Sequence, residues 1–228
     1  MARKDFGELN YLQLCQRLRM EAGVSGTGPA SVVGQVGELG EIVTWVNSAY
    51  EDIQSLHTTW NFRQGDFSSA LISGTYTYTP ASLLIDDLLE WKTDDVRIYL
   101  DAADEAQITY TPWDDFRRAY MIGSLPSGRP SVFSIKPNNS IVFWPTPDDA
   151  YTCVGEYVKQ VDTLSGNTDT PIFPSDFHML IVWRALKYYA GLLAAPEKYA
   201  HGEAEYQRLM RAMEYSQLPK IGWGNPLA

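Results

Sequence analysis

Four adjacent aspartate pairs punctuate the sequence: Asp86-Asp87, Asp94-Asp95, Asp114-Asp115 and Asp148-Asp149. Paired carboxylates can supply the acid and base of glycoside hydrolysis, or hold a divalent cation. Neighbouring side chains, however, point to opposite faces of a strand and about 100° apart on a helix, so one pair rarely builds a site. All four fall where turns or helix starts are expected, and there aspartate caps backbone N–H groups. A metal site is not expected from them.

The second chemical candidate is "GVSGTGPASVVGQVGELG", which places Gly23, Gly26, Gly28, Gly34, Gly37 and Gly40 within 18 residues. A phosphate loop of the G-x-x-x-x-G-K-[ST] kind needs a lysine, and none follows these glycines. A dinucleotide loop needs G-x-G-x-x-G after a strand, but Gly26-Thr27-Gly28 is followed by Ser31 and preceded by a helical pattern. No basic residue lies between Arg19 and Arg63, while Glu21, Glu38 and Glu41 do. A phosphate would meet carboxylates with only backbone N–H groups to offset them. The stretch reads instead as a flexible connector in which Gly34, Gly37 and Gly40 let another backbone approach. Gly34 and Gly37 are therefore candidate partner-binding residues.

The remaining candidates are weaker. His57, His178 and His201 lack metal-ligand spacing, no G-x-S-x-G elbow occurs, and Cys15 has no base nearby in sequence. Cys15 and Cys153 read as reduced, buried thiols, one on a helix and one on a strand. No catalytic residue, cofactor or metal is expected. In the tail "LPKIGWGNPLA", Ile221, Trp223 and Leu227 are apolar anchors on a backbone that glycine and proline keep irregular. They suggest an extended arm, residues 218–228, that docks into a neighbouring subunit or partner.

Composition sets outer limits. Lysine and arginine number 18 against 28 acidic residues, a net charge of −10, which disfavours generic nucleic-acid binding. The hydrophobic share of 45% fits a folded globular chain, and the 13% aromatic share suits cores and interfaces. The most apolar run, from Met179, is broken by Arg184 and Lys187, so a membrane span is not expected.

These residues must be carried by elements. Asp5 and Glu8 have the spacing of a capping box, and Leu9, Leu12 and Leu18 predict a helix to about Glu21. A second helix is predicted from Gly37 to Thr58, with a stripe from Leu39 through Ile42, Val46, Ala49, Ile53 and Leu56 to Trp60. From Asp66 the period changes to two. "GTYTYTP", Val96–Leu100, Ala106–Thr111 and Tyr151–Val161 read as strands, and "VFSIKPNNSIVFWP" as a hairpin turning at the Asn pair. A short helix is expected at "PWDDFRRAYM". Ser175-Asp176 should cap a central helix from Phe177 to Ala194, and Pro196 should start another to Gln217. The fold class is α+β: a helical bundle from residues 1–65 and 171–217, with an inserted antiparallel β subdomain at 66–170.

Three stretches together carry a resemblance: "GTGPASVVGQVGELGEIVTWVNSAYEDIQ" followed by "WNF", "GRPSVFSIKPNNSIVFWPTPDDAYTCVGEYVKQ", and "TPIFPSDFHMLIVWRALKYYAGL". In this order they resemble the adaptor (connector or head-completion) proteins of tailed bacteriophages, with a tail-tube or head-closure subunit as a related possibility. The resemblance implies a non-enzymatic ring subunit, commonly twelve copies, between the portal protein and a tail or nozzle protein. It implies a place in the virion neck, assembled in the host cytoplasm, with DNA passing through the channel without sequence-specific contact. Acidic side chains lining such a channel would repel DNA. The competing reading is a carbohydrate-binding or glycan-degrading module, which would need exposed aromatics lined up on one strand face and two carboxylates about 5 to 10 Å apart, and which burial of Tyr76, Tyr78, Trp91 and Trp144 would count against.

Overall fold

The computed structural model describes residues 7–101 and 103–220. Asp5 and the anchors Ile221, Trp223 and Leu227 lie outside them. In chain order the elements are α1 (Tyr11–Ala22), α2 (Gly37–Ser55), β1 (Gln64–Ala70), β2 (Thr77–Tyr78), β3 (Leu88–Trp91), β4 (Arg97–Tyr99), β5 (Ala106–Gln107), β6 (Thr109–Tyr110) and α3 (Trp113–Tyr120). They continue with β7 (Val132–Ile135), β8 (Ile141–Trp144), β9 (Thr152–Lys159), α4 (Met179–Leu192) and α5 (Pro196–Gln217). The class is α+β. Two compact units result: one from the residues up to Phe62 and from Val161 onward, the other Arg63–Gln160.

The helical unit is built around α4, whose residues Leu180, Ile181, Val182, Ala185 and Leu186 have no exposure. A helix apolar nearly all round must be enclosed on several sides, and α1, α2 and α5 enclose it. Leu14, Cys15 and Leu18 come from α1, Ile42, Val46, Ala49 and Ile53 from α2, and Met210 and Met213 from α5. Three expectations shift. The capping box of α1 is Asn10 with Gln13: Asn10 Oδ1 accepts from Gln13 N at 2.9 Å and Gln13 Oε1 from Asn10 N at 3.0 Å. Glu8 therefore precedes the helix. α2 ends at Ser55, leaving Leu56 51% exposed although it continues the apolar stripe. No side chain caps α4; a 3-10 turn at Ser175–Phe177 leads into it instead.

The chain rejoins this unit at Val161, ten residues before the helical pattern does, because polar side chains of α2 capture the connecting strap. Gln54, fully buried, pairs its amide with the backbone of Asp162 through two bonds of 2.9 Å. Asn47 Oδ1 accepts from Leu164 N at 2.9 Å, and the Tyr50 hydroxyl donates to Asp162 Oδ2 at 2.8 Å. Burying an amide is favourable only when its hydrogen bonds are met, as they are here.

The second unit is a two-layer β structure. One sheet runs β1-β9-β4-β5 with β3 also on β9; the other runs β2-β8-β7-β6. Phe67, Trp91, Ile98 and Cys153 of the first face Tyr78, Phe133, Ile141 and Phe143 of the second in one core. The hairpin turns at Asn139, whose φ of 62° suits asparagine, and Lys136 N bonds Ser140 O at 2.9 Å across it. The insertion is not purely antiparallel: β6 pairs with β7 in parallel. Of "GTYTYTP" only Thr77–Tyr78 joins the ladder, since Pro80 follows and starts a 3-10 turn.

Candidate interaction surface

Among the described residues no group of three or more His, Cys, Asp or Glu could hold a metal ion. At least one aspartate of each pair serves local structure. Asp87 accepts from the Tyr157 hydroxyl and Asp148 from the Tyr151 hydroxyl, each at 2.8 Å. Asp95 meets Arg97 at 3.2 Å, and Asp114 and Asp115 lie in the first turn of α3, where the helix dipole favours them. Burial pushes the thiols of Cys15 on α1 and Cys153 on β9 up to about 12, far from a reactive thiolate. His178 is buried with both ring nitrogens engaged: Leu9 N–H donates to Nδ1 at 3.0 Å and Nε2 lies 3.1 Å from Phe173 O. Its burial lowers its pKa, so the neutral ring acts as a structural joint.

The carbohydrate reading loses its platform. Tyr78 and Trp91 are buried in the core, while half-buried Tyr76 lies under Lys136 Nζ at 6.0 Å and Trp144 packs on Tyr120 at 4.7 Å.

The glycine-rich segment, Val24–Val36 between α1 and α2, differs most from its sequence reading. It is pinned rather than a free connector. Arg19 donates to Ser25 O through Nη2 at 3.0 Å and Nε at 3.3 Å, and Gln16 Nε2 donates to Pro29 O at 3.1 Å. Asn167, on the strap, accepts from Val32 N at 2.7 Å and Ser31 Oγ at 3.2 Å. A basic residue does reach this region, from far along the chain: Lys198 Nζ on α5 donates to Glu21 O at 3.1 Å. It caps the negative end of α1, and Arg19 is spent on Ser25 and on Glu38 at 3.7 Å. Neither cation is aimed at an empty cradle.

The glycines here are conformational. Gly28 has φ 87°, and a Cβ there would sit 3.1 Å from the Gln16 backbone, so the loop can lie against α1 only with glycine. Gly34 and Gly37 also have positive φ, 71° and 59°, but nothing lies within 4 Å of the position of a Cβ. Gly40 meets its own backbone, Gln35 O at 3.0 Å, rather than a foreign one. Around Gly34 and Gly37 two valines point outward, Val33 at 68% and Val36 at 84% exposure, while Val32, whose own N–H is pinned by Asn167, is buried. The result is an exposed apolar knuckle that follows directly on the pinned stretch. Sequence reasoning located the glycines but not the pins: Gln16, Arg19 and Asn167 carry no local signal, because their acceptors and donors come from other segments.

Compared with known proteins, residues 9–227 match the family described as SU10 adaptor protein. No curated protein matches the chain. Among the described residues, no helix is long and apolar enough to cross a membrane.

Proposed function

We propose a function from one premise, that this chain belongs to the SU10 adaptor protein family and is thus a structural component of a bacteriophage. In the role we propose, copies form a ring, in the family manner about twelve, that sits on the portal protein and receives a tail or nozzle protein. The ring extends the DNA channel, and DNA passes without sequence-specific contact. The particle neck is its site of action, reached by assembly in the host cytoplasm, and no catalysis is involved. The net charge of −10 suits a conduit from which DNA must slide free.

The observation that carries the contact assignment is the knuckle of Val33, Gly34, Val36 and Gly37. Apolar side chains held outward on a pre-organised backbone bind without the cost of ordering a loop. The segment with Ile221, Trp223 and Leu227 is the second proposed contact, an extended arm reaching a neighbour or the portal. The test mixes the full chain with purified portal protein and images the product by cryo-EM, alongside pull-down. A ring on the portal is expected. Val36→Asp and deletion of residues 221–228 should each leave the thermal midpoint unchanged and weaken portal binding about tenfold or more. Absence of wild-type binding overturns the role; unchanged affinity of a variant overturns that contact.

A further inference from the structure

The strand β1 ends its sheet with an open edge. Hydrogen-bonded pairs alternate along an antiparallel ladder, and Leu71 N, just past β1, donates to Tyr151 O at 2.7 Å. In the unbroken register of β1 with β9, Ser69, Phe67 and Gly65 therefore bond to Cys153, Gly155 and Tyr157. The other side of β9 agrees in phase, since Lys92 N donates to Glu156 O at 3.1 Å. The N–H and C=O groups of Asp66, Ser68 and Ala70 then point away from β9, where the described sheet has no further strand. All three residues are exposed, and among the described residues no hydrogen bond reaches their backbones. An open edge is a template for another chain, and folds usually blunt it with proline, lysine, a bulge or short length. Over its seven residues β1 has none of these.

The charge beside the edge selects what can pair there. Asp66 borders a hollow of about 680 Å³ on the outer face of this sheet, together with Asp95, Glu105 and Glu156. Arg97 serves Asp95 at 3.2 Å and Glu105 at 2.7 Å, and Lys92 serves Glu156 at 2.7 Å. Four carboxylates thus meet two cations, and Asp66, at the edge itself, forms no ion pair or hydrogen bond among the described residues. An added strand gains by placing a cation opposite Asp66, and a carboxylate there would be repelled.

The described elements are already paired or packed, so within this chain the candidate strands are the terminal stretches outside them, 1–6 and 221–228. The second, "IGWGNPLA", has two glycines, a proline and no cation, which is poor chemistry for a strand beside a carboxylate. The first, "MARKDF", has neither glycine nor proline and carries Arg3 and Lys4. Strand alternation groups Lys4 with Ala2 and Phe6, and Arg3 with Asp5, so Lys4 is the cation that can face Asp66 without bringing a carboxylate along. Leu9, five residues further on, is fixed through its N–H on His178 Nδ1 at 3.0 Å, so Lys4 can act up to about 17 Å from that anchor. We propose that the segment around Lys4 of one copy adds to the β1 edge of a second copy as a further strand, with Lys4 opposite Asp66. One edge and one segment per chain make a head-to-tail contact, which closes into a ring if the rotation permits. The proposal rests on the assembly role given above and assigns the subunit–subunit contact, as distinct from the portal contact.

Sedimentation velocity of the full chain over a concentration series tests it, with Lys4→Glu, Asp66→Lys and Ser68→Pro. Proline at 68 removes only a donor that points out of the sheet, and residue 66 is exposed, so urea midpoints should stay near wild type. Should Ser68→Pro fail to fold, the charge variants carry the test. Wild type should self-associate, and each variant should do so at least about tenfold more weakly. The double variant Lys4→Glu/Asp66→Lys restores opposite charges and should recover association, which a merely destabilised chain would not. Hydrogen exchange at the Asp66, Ser68 and Ala70 amides should be fast in dilute protein and slow in the associated form. A wild type that stays monomeric at every concentration overturns the inference, as does a folded single variant that associates like wild type or a double variant without recovery. So does protection of the edge amides that is independent of concentration, which would seat the segment on its own copy. Portal pull-down read in parallel separates the two claims. Self-association without portal binding sinks the proposed function alone, and portal binding by a chain that never self-associates sinks this contact alone.

Discussion

Asn167 offers the sharpest test of whether the glycine-rich segment is held in place. Its side-chain oxygen accepts two hydrogen bonds, from Val32 N at 2.7 Å and Ser31 Oγ at 3.2 Å. Its own carbonyl separately accepts from Leu12 N at 3.3 Å. Asn167→Ala removes the first two and spares the third. At about 0.5–1.5 kcal/mol net per bond, the loss is about 2 kcal/mol, spent on opening the segment rather than the fold. Since 1.4 kcal/mol is a factor of about ten, the Val32 amide should exchange its hydrogen about 30-fold faster. Amides of α4, enclosed by three other helices, should keep their rates. Asn167→Asp serves as control, because a carboxylate still accepts both bonds and should retain most of the protection. Hydrogen exchange read by mass spectrometry or NMR decides. If Val32 exchanges at the wild-type rate in Asn167→Ala, the side chain is not the pin, and the rigid knuckle loses its physical basis.

Two further outcomes follow from buried titratable groups. His178 is neutral in the fold because burial lowers its pKa, so below about pH 6.5 the unfolded chain binds a proton that the native one refuses. Stability should hold above about pH 6.5 and fall as pH drops below it; urea midpoints should show this slope for wild type and lose it in His178→Asn. An unchanged slope in the variant would assign the pH dependence elsewhere. The thiols of Cys15 and Cys153, pushed up to about 12 by burial, should resist a thiol reagent at pH 8 until urea unfolds the chain, and labelling at the rate of an exposed cysteine in buffer would contradict their placement.

Much of the architecture was readable because it follows from local patterns. The spacing of Ile42, Val46, Ala49 and Ile53 gave α2, and Pro196 marked the first residue of α5. The alternation from Val132 to Trp144, with its Asn pair, gave the hairpin. Two capping boxes, Asp5 with Glu8 and Asn10 with Gln13, compete in "KDFGELNYLQ", about one and a half turns apart, and the local pattern does not rank them. Asn10 carries the helix because the residues that follow it, Tyr11, Leu14, Cys15 and Leu18, reach the core. The strap from Val161 continues the β pattern in sequence for a related reason: its attachment to the helical unit depends on Gln54, Tyr50 and Asn47, polar residues on an otherwise apolar helix face. Polar side chains signal their partners only once both ends are brought together.

By itself the sequence determined what periodicity and residue chemistry can express. That includes the α+β class, the apolar stripes, the lack of any phosphate-loop or catalytic motif, and the order of stretches that resembles phage adaptors. Tertiary structure decided what each glycine is for. Gly28 lets the loop lie on Gln16, Gly40 makes room for Gln35, and Gly34 and Gly37 turn the chain where Val33 and Val36 face solvent. It also decided which cations are free, since Lys198 reaches Glu21 from 177 positions away. The physical reason is range. Backbone propensity and hydrophobic period act over a few residues and are written locally, whereas hydrogen-bond satisfaction, strain and exposure depend on what distant segments place beside a residue.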